Sequence, residues 1–387
     1  MRASTDRILT THVGALPMPP GLWSKQGVEE ARLQREVAEV VRMQGEAGID
    51  IINEGELTKG GNWVSFINER LSGFVPVDNG ATSALLMQSE DWKQFKDFYQ
   101  AALAGGTLFE STRSVAEQIR ELDWSCTSAI TYVGQKSLQQ EIESLRAALG
   151  STPTADAFLT STAPASLEPG RDNKFYKDTE DFLFALADAM AVEYEAIAKA
   201  GFIVQVDDAW LAALWDRIGI PMGLEGYRRY CRLRIDALNH ALGNVAQSQV
   251  RYHLCWGSWH GPHTCDIGMK DMIDLMLSVN AQAYLFEAAN ARHEHEFTLW
   301  EQVKLPEDKI LIPGVVSHAT TVVEHPELVS MRIQRFTNLV GRERVIAGTD
   351  CGVGLRRHPQ VAWAKLKALS EGAALASSVL WSRKSAA

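Results

Sequence analysis

Residues 202–207 (FIVQVD) and 250–255 (VRYHLC) are two short apolar runs, and a segment of helical period over residues 224–242 separates them. Apolar runs of this length that alternate with longer helical segments are typical of parallel βαβ units. The alternation continues on both sides of this unit and therefore decides the fold. It predicts eight strands: Arg7–Gly14, Gly48–Asn53, Ala157–Thr162, Phe202–Asp207, Val250–Cys255, Ala283–Glu287, Lys309–Val315 and Val345–Gly348.

Helical segments lie between these strands, and the sequence has no glycine-rich phosphate-binding motif after the first strand. Eight consecutive βα units of this kind favour a closed (β/α)8 barrel, an α/β fold, over a doubly wound sheet. The predicted helices are Gly27–Gly45, Lys177–Lys199, Leu224–Leu242, Met269–Val279 and Pro326–Val340.

One stretch, Leu57–Ser151, is too long for a βα connection and holds its own helical segments and a ninth apolar run at Ala129–Val133. We expect this insertion after the second strand to cover the mouth of the barrel. No linker or repeat divides the chain, so residues 1–387 are predicted to form one domain that includes the insertion at 57–151.

The composition of the chain argues against several classes of protein. The 387 residues are 46% hydrophobic, enough for a large core, and no apolar run reaches the length of about 18 residues that a membrane span needs. The first residues contain no apolar stretch of signal-peptide type, which predicts a cytoplasmic protein. The net charge of −10 without a Lys/Arg run argues against a nucleic-acid partner. The 11 tryptophans indicate either a lined pocket or a subunit contact, and a homo-oligomer stays open.

Nearly every predicted strand ends in a residue type that supports chemistry. In a (β/α)8 barrel these ends share one face, where the active site forms, so residues far apart in sequence converge. A single polar strand end often does no more than meet solvent, but the whole set points to a site. Its members are His12, Gly14, Glu54, Glu56, Ser166, Asp207, Asp208, His253, Cys255, Glu287, His318, Asp350 and Cys351.

Four of these residues have the chemistry of zinc ligands. His253 and Cys255 are two positions apart on one strand and therefore point to the same side. Glu287 ends the next strand and Cys351 ends the last, which completes a tetrahedral set. Cys265, in the loop WGSWHGPHTCD, remains an alternative to Glu287 or Cys351.

Catalysis at zinc requires an exchangeable ligand, and a carboxylate is the weakest of the four. A thiol that displaces Glu287 would be deprotonated by coordination, whereas a free thiol is mostly protonated at neutral pH. The ligand set therefore predicts a zinc-dependent enzyme that activates a small thiol as a thiolate.

Several motifs resemble the catalytic C-terminal barrel of cobalamin-independent methionine synthase and its short single-barrel relatives. They are TTHVGALP (10–17), the His-x-Cys pair, the strand-terminal glutamate and GTDCGVGLRRHP (348–359), in this order, and the similarity covers most of the chain outside the insertion. The same superfamily includes epoxyalkane:coenzyme M transferase, which activates a different thiol.

The resemblance implies a role for each matching residue. His253, Cys255, Glu287 and Cys351 are similar to the zinc ligands of the family, and Glu56 and Asp207 to the acids that hold the amino group of homocysteine. His318, in PGVVSHATT, is similar to the histidine that supplies a proton to the leaving group, with Glu324 or Asp350 as its orienting neighbour. The predicted substrate-binding residues are His12, Gly14, Glu56, Ser166 and Asp207.

Two departures from the family pattern concern the substrates. Ala15 stands where the family usually has serine, and the stretch LEPGRDN (167–173) lacks the tryptophan expected to stack on a pterin. The alkyl donor therefore stays open between methyltetrahydrofolate, another methylated compound and an epoxide.

Alternatives also remain for the acceptor and for the reaction class. Two carboxylates favour a thiol that carries an ammonium group, such as homocysteine, whereas Arg356 and Arg357 would suit the anionic tail of coenzyme M. A zinc hydrolase is a weaker alternative, because two thiolate ligands lower the Lewis acidity of zinc. A non-enzymatic zinc protein would leave His318 without a target.

Overall fold

The computed structural model describes residues 1–23, 27–60, 65–77, 88–108, 124–150, 152–354 and 358–382. Seven strands of this part form one parallel sheet in the order β1-β4-β6-β7-β8-β9-β10. In chain order the strands of the described residues are β1 Ile51–Ile52, β2 Phe74–Pro76, β3 Trp124–Cys126, β4 Asp156–Thr162, β5 Arg171–Asn173, β6 Ile203–Asp208, β7 Val250–Leu254, β8 Ala283–Phe286, β9 Ile310–Val316 and β10 Gly348–Thr349.

The N-terminal segment closes this sheet into a barrel. Thr10 forms a parallel bridge with Ala347, just before β10, and Thr11 forms one with Ile51 of β1. The predicted (β/α)8 barrel is therefore confirmed, but its first strand is not a regular strand over Arg7–Gly14. Both of its neighbours, β1 and β10, are only two residues long, so the segment pairs only over a short stretch.

Helices surround the sheet and bury one face each. In the first of them, residues such as Leu33, Val37 and Val41 repeat at helical spacing and are buried. The α-helices of the described residues are α1 Glu30–Glu46, α2 Glu90–Gln94, α3 Lys96–Ala104, α4 Gln135–Leu149, α5 Pro164–Leu167, α6 Thr179–Lys199, α7 Trp210–Ala213, α8 Ile220–Met222, α9 Leu224–Ala241, α10 Ile273–Leu277, α11 Pro326–Val340 and α12 Pro359–Ser382.

The predicted helices agree with these bounds within a few residues, with one exception. The segment Met269–Val279 is divided into a 3-10 turn, Met269–Asp271, and the short helix α10. Met272, between them, has a φ of −123° and interrupts the helix.

The insertion is shorter than its predicted bounds. Helix α4 packs against α1 and occupies the place of a barrel helix before β4, so the elaboration ends before Gln135. The apolar run Ala129–Val133 contributes one bridge, between Tyr132 and Leu71, and no regular strand. Outside the barrel, β2 pairs antiparallel with β3, and β3 pairs parallel with β5.

The insertion lies against the loop that follows β7, at the carboxyl end of the barrel. Asp91 accepts hydrogen bonds from the backbone N–H groups of His263 (3.2 Å) and Thr264 (2.9 Å). The indole N–H of Trp259 donates to the hydroxyl of Tyr99 at 3.2 Å. Because these contacts hold α2 and α3 of the insertion against the loop after β7, we propose that the insertion and the barrel form one domain.

The barrel interior changes from apolar to polar along its axis. Inward-facing apolar side chains form one layer, and the polar inward residues follow it toward the carboxyl ends of the strands. The apolar layer consists of Leu9, Val13, Ile51, Phe158, Ile203, Ala283, Leu285, Ile310, Ile312 and Ile346. Among the described helices, none is both long and apolar enough to cross a membrane.

Close packing between β9 and β10 depends on Gly314. A Cβ atom at this position would lie 2.1 Å from Oδ1 of Asp350 and 2.6 Å from its backbone nitrogen. We predict that Gly314→Ala lowers the free energy of unfolding by about 1–3 kcal/mol, because the two strands must separate to admit a methyl group. Urea-induced unfolding of the purified variant measures this loss.

Gly226→Ala is the matched control, since Gly226 lies inside α9 and an added Cβ would come no closer than 3.3 Å to Met222. Alanine is the better helix former, so this control should be as stable as the wild type or more stable. Equal stability of both variants would contradict the prediction.

Candidate metal and active site

Three predicted ligands meet at the carboxyl ends of β7 and β10. His253, Cys255 and Cys351 each offer one ligand atom, and these atoms lie within 4.8 Å of one another. The two sulfur atoms are 3.7 Å apart. This is the spacing at which the three side chains can share one ion.

The imidazole of His253 is anchored on one nitrogen and presents the other. Its Nδ1 is 2.9 Å from Oδ1 of Asp207. Its Nε2 is buried and has no hydrogen-bond partner among the described residues. An orphaned ring nitrogen beside two thiols fits a zinc ion, which binds imidazole nitrogen and thiolate sulfur.

Glu287, the fourth predicted ligand, lies beside this group. Its Oε1 lies 3.7 Å from Sγ of Cys255 and accepts a hydrogen bond from the backbone N–H of Trp256 at 3.0 Å. Asn290 donates its side-chain amide to Oε2 at 2.7 Å. Burial raises the pKa of Glu287 to about 7, so the carboxylate gains from a nearby cation.

Cys255 is a poor thiolate without a metal ion. The hydrogen bond with Cys351 and burial raise the pKa of the Cys255 thiol well above its ordinary value. A bound cation would reverse this, because coordination favours the deprotonated sulfur.

Asp350 ties the ends of β8 and β10 together. Its Oδ1 accepts hydrogen bonds from the backbone N–H groups of Ala288 (2.8 Å) and Ala289 (2.9 Å). Asn290 donates to its Oδ2 at 3.2 Å. Asp350 therefore fixes the chain on either side of Glu287 and Cys351.

His318 lies in the loop after β9, beside the carboxylates. Ligand atoms of His318, Glu287 and Asp350 lie within 4.8 Å of one another, and all three residues are buried. Of the two neighbours expected to orient the ring, Asp350 is the adjacent one. Glu324 instead accepts from the backbone N–H of Ser317 at 2.8 Å and from Lys365 at 2.9 Å, which holds the loop.

Glu56 occupies a second part of the mouth, and its position depends on Gly14. The backbone of Glu56 adopts the left-handed conformation (φ 57°). A Cβ atom on Gly14 would lie 2.3 Å from Oε1 of Glu56. Burial raises the pKa of Glu56 to about 8, against the opposing effect of Lys59, and Asp207 raises it further. This carboxyl group is thus poised to ionise when a cationic group binds.

His12 and Ser166 make their side-chain contacts within the protein. Nε2 of His12 bonds to Oε1 of Gln44 at 2.7 Å, and burial lowers the pKa of the ring to about 3. The hydroxyl of Ser166 donates to Asp208 at 2.7 Å and accepts from the backbone N–H of Trp210 at 3.2 Å. A substrate-binding role for His12 and Ser166 stays a prediction.

Cys265 lies apart from the metal group. Its sulfur is 4.0 Å from Oε1 of Gln94 and 3.8 Å from the hydroxyl of Thr264, in the contact between the β7 loop and the insertion. The cluster of His253, Cys255 and Cys351 does not include it. Arg356 and Arg357, considered above as an anion clamp, lie outside the described residues.

Three residues of the site were missed from the sequence. Asn290 joins Glu287 to Asp350, and Gln205 and Arg251 form hydrogen bonds inside the barrel beneath Asp207. A signal was available for two of them, because Gln205 and Arg251 interrupt apolar strands at inward-facing positions.

Fold and site together define a (β/α)8-barrel protein with a candidate metal cluster of one histidine and two cysteines, beside a glutamate, at the carboxyl ends of its strands. Residues 170–374 match the family model described as cobalamin-independent synthase, catalytic domain. The chain belongs to this family, as its sequence motifs indicated.

Individual relatives are distant and extend over most of the chain. A methionine synthase of Saccharolobus solfataricus is 22% identical over 377 residues, which cover 94% of this chain and 93% of the relative. A 5-methyltetrahydropteroyltriglutamate–homocysteine methyltransferase of Campylobacter jejuni subsp. doylei is 24% identical over 85% of this chain, and the match spans 37% of that longer protein.

A solved structure supports the fold. The B12-independent methionine synthase from Shewanella sp. W3-18-1, solved in complex with selenomethionine, aligns with a TM-score of 0.69 and 17% identity. The alignment covers 97% of this chain and 99% of that one. It confirms the barrel architecture.

The geometry separates the cysteines into two groups with different expected behaviour. We predict that Cys255→Ser and Cys351→Ser each abolish stoichiometric binding of Zn²⁺ or Co²⁺, because each removes one of three clustered donors. Cys265→Ser should bind these metal ions with the same stoichiometry as the wild type. Titration with Co²⁺, followed by its thiolate charge-transfer absorption, measures binding; loss of that absorption in Cys265→Ser would refute this assignment.

Proposed function

We propose that this protein is a zinc-dependent transferase that methylates a small thiol, with homocysteine as the first candidate acceptor. The cluster of His253, Cys255 and Cys351, with Glu287 beside Cys255, is the observation that carries the proposal. Family membership and the names of the relatives, a methionine synthase and a homocysteine methyltransferase, support it.

In this proposal His253, Cys255 and Cys351 hold the zinc ion and Glu287 is the exchangeable fourth ligand. Bound there, zinc lowers the pKa of a coordinated thiol, so that the acceptor sulfur is a thiolate nucleophile at neutral pH. Asn290 and the backbone N–H of Trp256 provide two hydrogen bonds to Glu287. These donors would hold the Glu287 carboxylate whether or not it binds the ion.

Glu56 and Asp207 form the acceptor end of the site. Two carboxylates at the barrel mouth favour a positively charged group, and homocysteine carries an ammonium group three bonds away from the carbon that bears its sulfur. The same charges oppose a thiol with a sulfonate or a free carboxylate at this position. Oδ2 of Asp207 makes no hydrogen bond within the described part of the chain, so it remains available for the ammonium group.

His318 is the proton donor of the proposed reaction. The acceptor sulfur forms a bond to the transferred carbon, and the bond between that carbon and the leaving nitrogen or oxygen breaks. The electron pair stays on the leaving atom, which takes a proton from the His318 ring. Asp350 lies beside this ring and is the neighbour proposed to orient it.

The donor is proposed to be a methylated compound such as methyltetrahydrofolate. The alternative is an epoxide, in which case the same proton would go to the nascent alkoxide and the acceptor would be coenzyme M. The acceptor experiment below distinguishes the two, because coenzyme M carries a sulfonate and no ammonium group.

The acceptor is tested by calorimetric titration of the zinc-loaded protein with homocysteine and with coenzyme M. We expect homocysteine to bind more tightly than coenzyme M. Glu56→Gln should lower the affinity for homocysteine by about 10-fold or more, because the variant loses a charge-assisted hydrogen bond. Tight binding of coenzyme M alone would refute the first choice.

The pH dependence of the same titration tests Glu56 directly. Its pKa of about 8 means that the carboxyl group is mostly protonated at pH 7, so ammonium binding must release that proton. The affinity for homocysteine should therefore rise with pH up to about 8. Its logarithm should rise more steeply with pH than that for 2-mercaptoethanol, by a slope of about one, because 2-mercaptoethanol has no amine and releases no proton from Glu56. This extra slope should vanish in Glu56→Gln.

Proton donation is tested with His318→Asn. We expect turnover to fall by about 100-fold to 10,000-fold, since a general acid contributes on this scale. Zinc content and the affinity for the acceptor should stay at wild-type values, because His318 is outside the cluster of His253, Cys255 and Cys351. Unchanged turnover would contradict the assignment.

A further inference from the structure

A row of buried hydrogen bonds runs through the barrel interior to the candidate metal ligand. Arg251 donates its Nε–H to Oε1 of Gln205 at 2.7 Å. The Nε2 amide group of Gln205 donates to Oδ1 of Asp207 at 2.7 Å, and the same oxygen is 2.9 Å from Nδ1 of His253. All four residues are buried.

Chemistry fixes the direction of every bond in this row. A guanidinium group only donates, so the atom of Gln205 that faces Arg251 must be the amide oxygen. The amide nitrogen then faces two acceptors, Asp207 and the backbone carbonyl oxygen of Val13. A carboxylate oxygen only accepts, so opposite Oδ1 of Asp207 it is Nδ1 of His253 that carries the proton.

Arg251 itself is held from several sides, which keeps the row in place. Its two terminal nitrogens donate to the hydroxyl of Thr11 and to the backbone carbonyl of His12, each at 2.9 Å. Its guanidinium group stacks 3.4 Å from the ring centre of Phe158. The start of the row is therefore a fixed donor on the same strand as His253.

We propose that Gln205, oriented by Arg251, is a positioning residue that sets the tautomer of His253. With the proton on Nδ1, the lone pair of Nε2 faces the two thiols, and this nitrogen has no other partner among the described residues. The proposal rests on the proposed function, because it needs the zinc ion that this nitrogen would bind.

The row also links the metal ligand to the acceptor. Asp207 uses Oδ1 for His253 and Gln205, which leaves Oδ2 for the ammonium group of the acceptor. Gln205 therefore determines how one carboxylate is shared between the metal side and the acceptor side of the site. Loss of its amide N–H should weaken the binding of both the zinc ion and an amine-bearing thiol.

Gln205→Glu is the decisive variant. The new carboxylate still accepts from Arg251, as an ion pair, but it has no N–H group for Asp207 and repels it. We expect the affinity for Zn²⁺ to fall by about 10-fold or more, the scale usual for loss of a residue that orients a metal ligand. Competition with a chromophoric chelator measures this affinity, and ¹⁵N shifts of the His253 ring report its tautomer at alkaline pH.

Two further variants keep the test falsifiable. Gln205→Met combined with Arg251→Met removes the row without leaving a buried charge, and it should lose zinc affinity to the same degree even if Gln205→Glu folds poorly. Gln249→Glu adds the same charge near the amino end of β7, where the wild-type amide donates to the carbonyl of Ala198. This control should bind zinc like the wild type.

The outcomes separate this role from the proposed function. A wild-type protein that binds no zinc would contradict the proposed function and this role with it. A wild type that binds zinc, together with a Gln205→Glu affinity within about two-fold and unchanged ring shifts, would overturn the role of Gln205 alone.

Discussion

The register between β6 and β7 is the constraint on which the site depends. It places Asp207 opposite His253. The register between β7 and β8 places His253 opposite Leu285. Side chains two positions apart share a face, so Cys255 and Glu287 follow on the inside of the barrel. A slip of one residue would turn His253 outward and Leu254 inward, and the cluster would be lost.

The barrel interior explains why polar residues interrupt its apolar strands. Gln205 and Arg251 lie between the apolar layer and the site, and each of their bonds ends on a group inside the barrel. A buried guanidinium group is costly unless its donors are satisfied, and here Gln205, Thr11 and His12 satisfy them. Gln205 and Arg251 therefore support His253 through buried hydrogen bonds inside the barrel, and not through a solvent-exposed loop.

The sequence predicted those features that depend on the alternation of residues within a strand and on where each strand ends. The inward positions of His253, Cys255 and Glu287 follow from the two-residue alternation, and the structure brings them together. Long-range contacts were not accessible in this way. The choice of Asp350 over Glu324 beside His318 depends on a hydrogen bond of Glu324 with Ser317 and on its ion pair with Lys365, which no local pattern encodes. The same holds for α4, which reads as part of the insertion until its packing against α1 is known.

The electrostatics of the mouth give a consistent account of what it binds. Burial raises the pKa of Glu56 to about 8 and that of Glu287 to about 7, so both carboxyl groups hold protons more tightly when the chain is folded than when it is unfolded. Their contribution to stability is present at acidic pH and is lost as the pH rises through these values. A cation beside each group removes this loss, because it stabilises the ionised form. In the proposed function, a metal ion beside Glu287 and an ammonium group beside Glu56 would each stabilise one ionised carboxylate. Above these pH values the ionised carboxylates destabilise the empty barrel, and a bound cation would remove that cost.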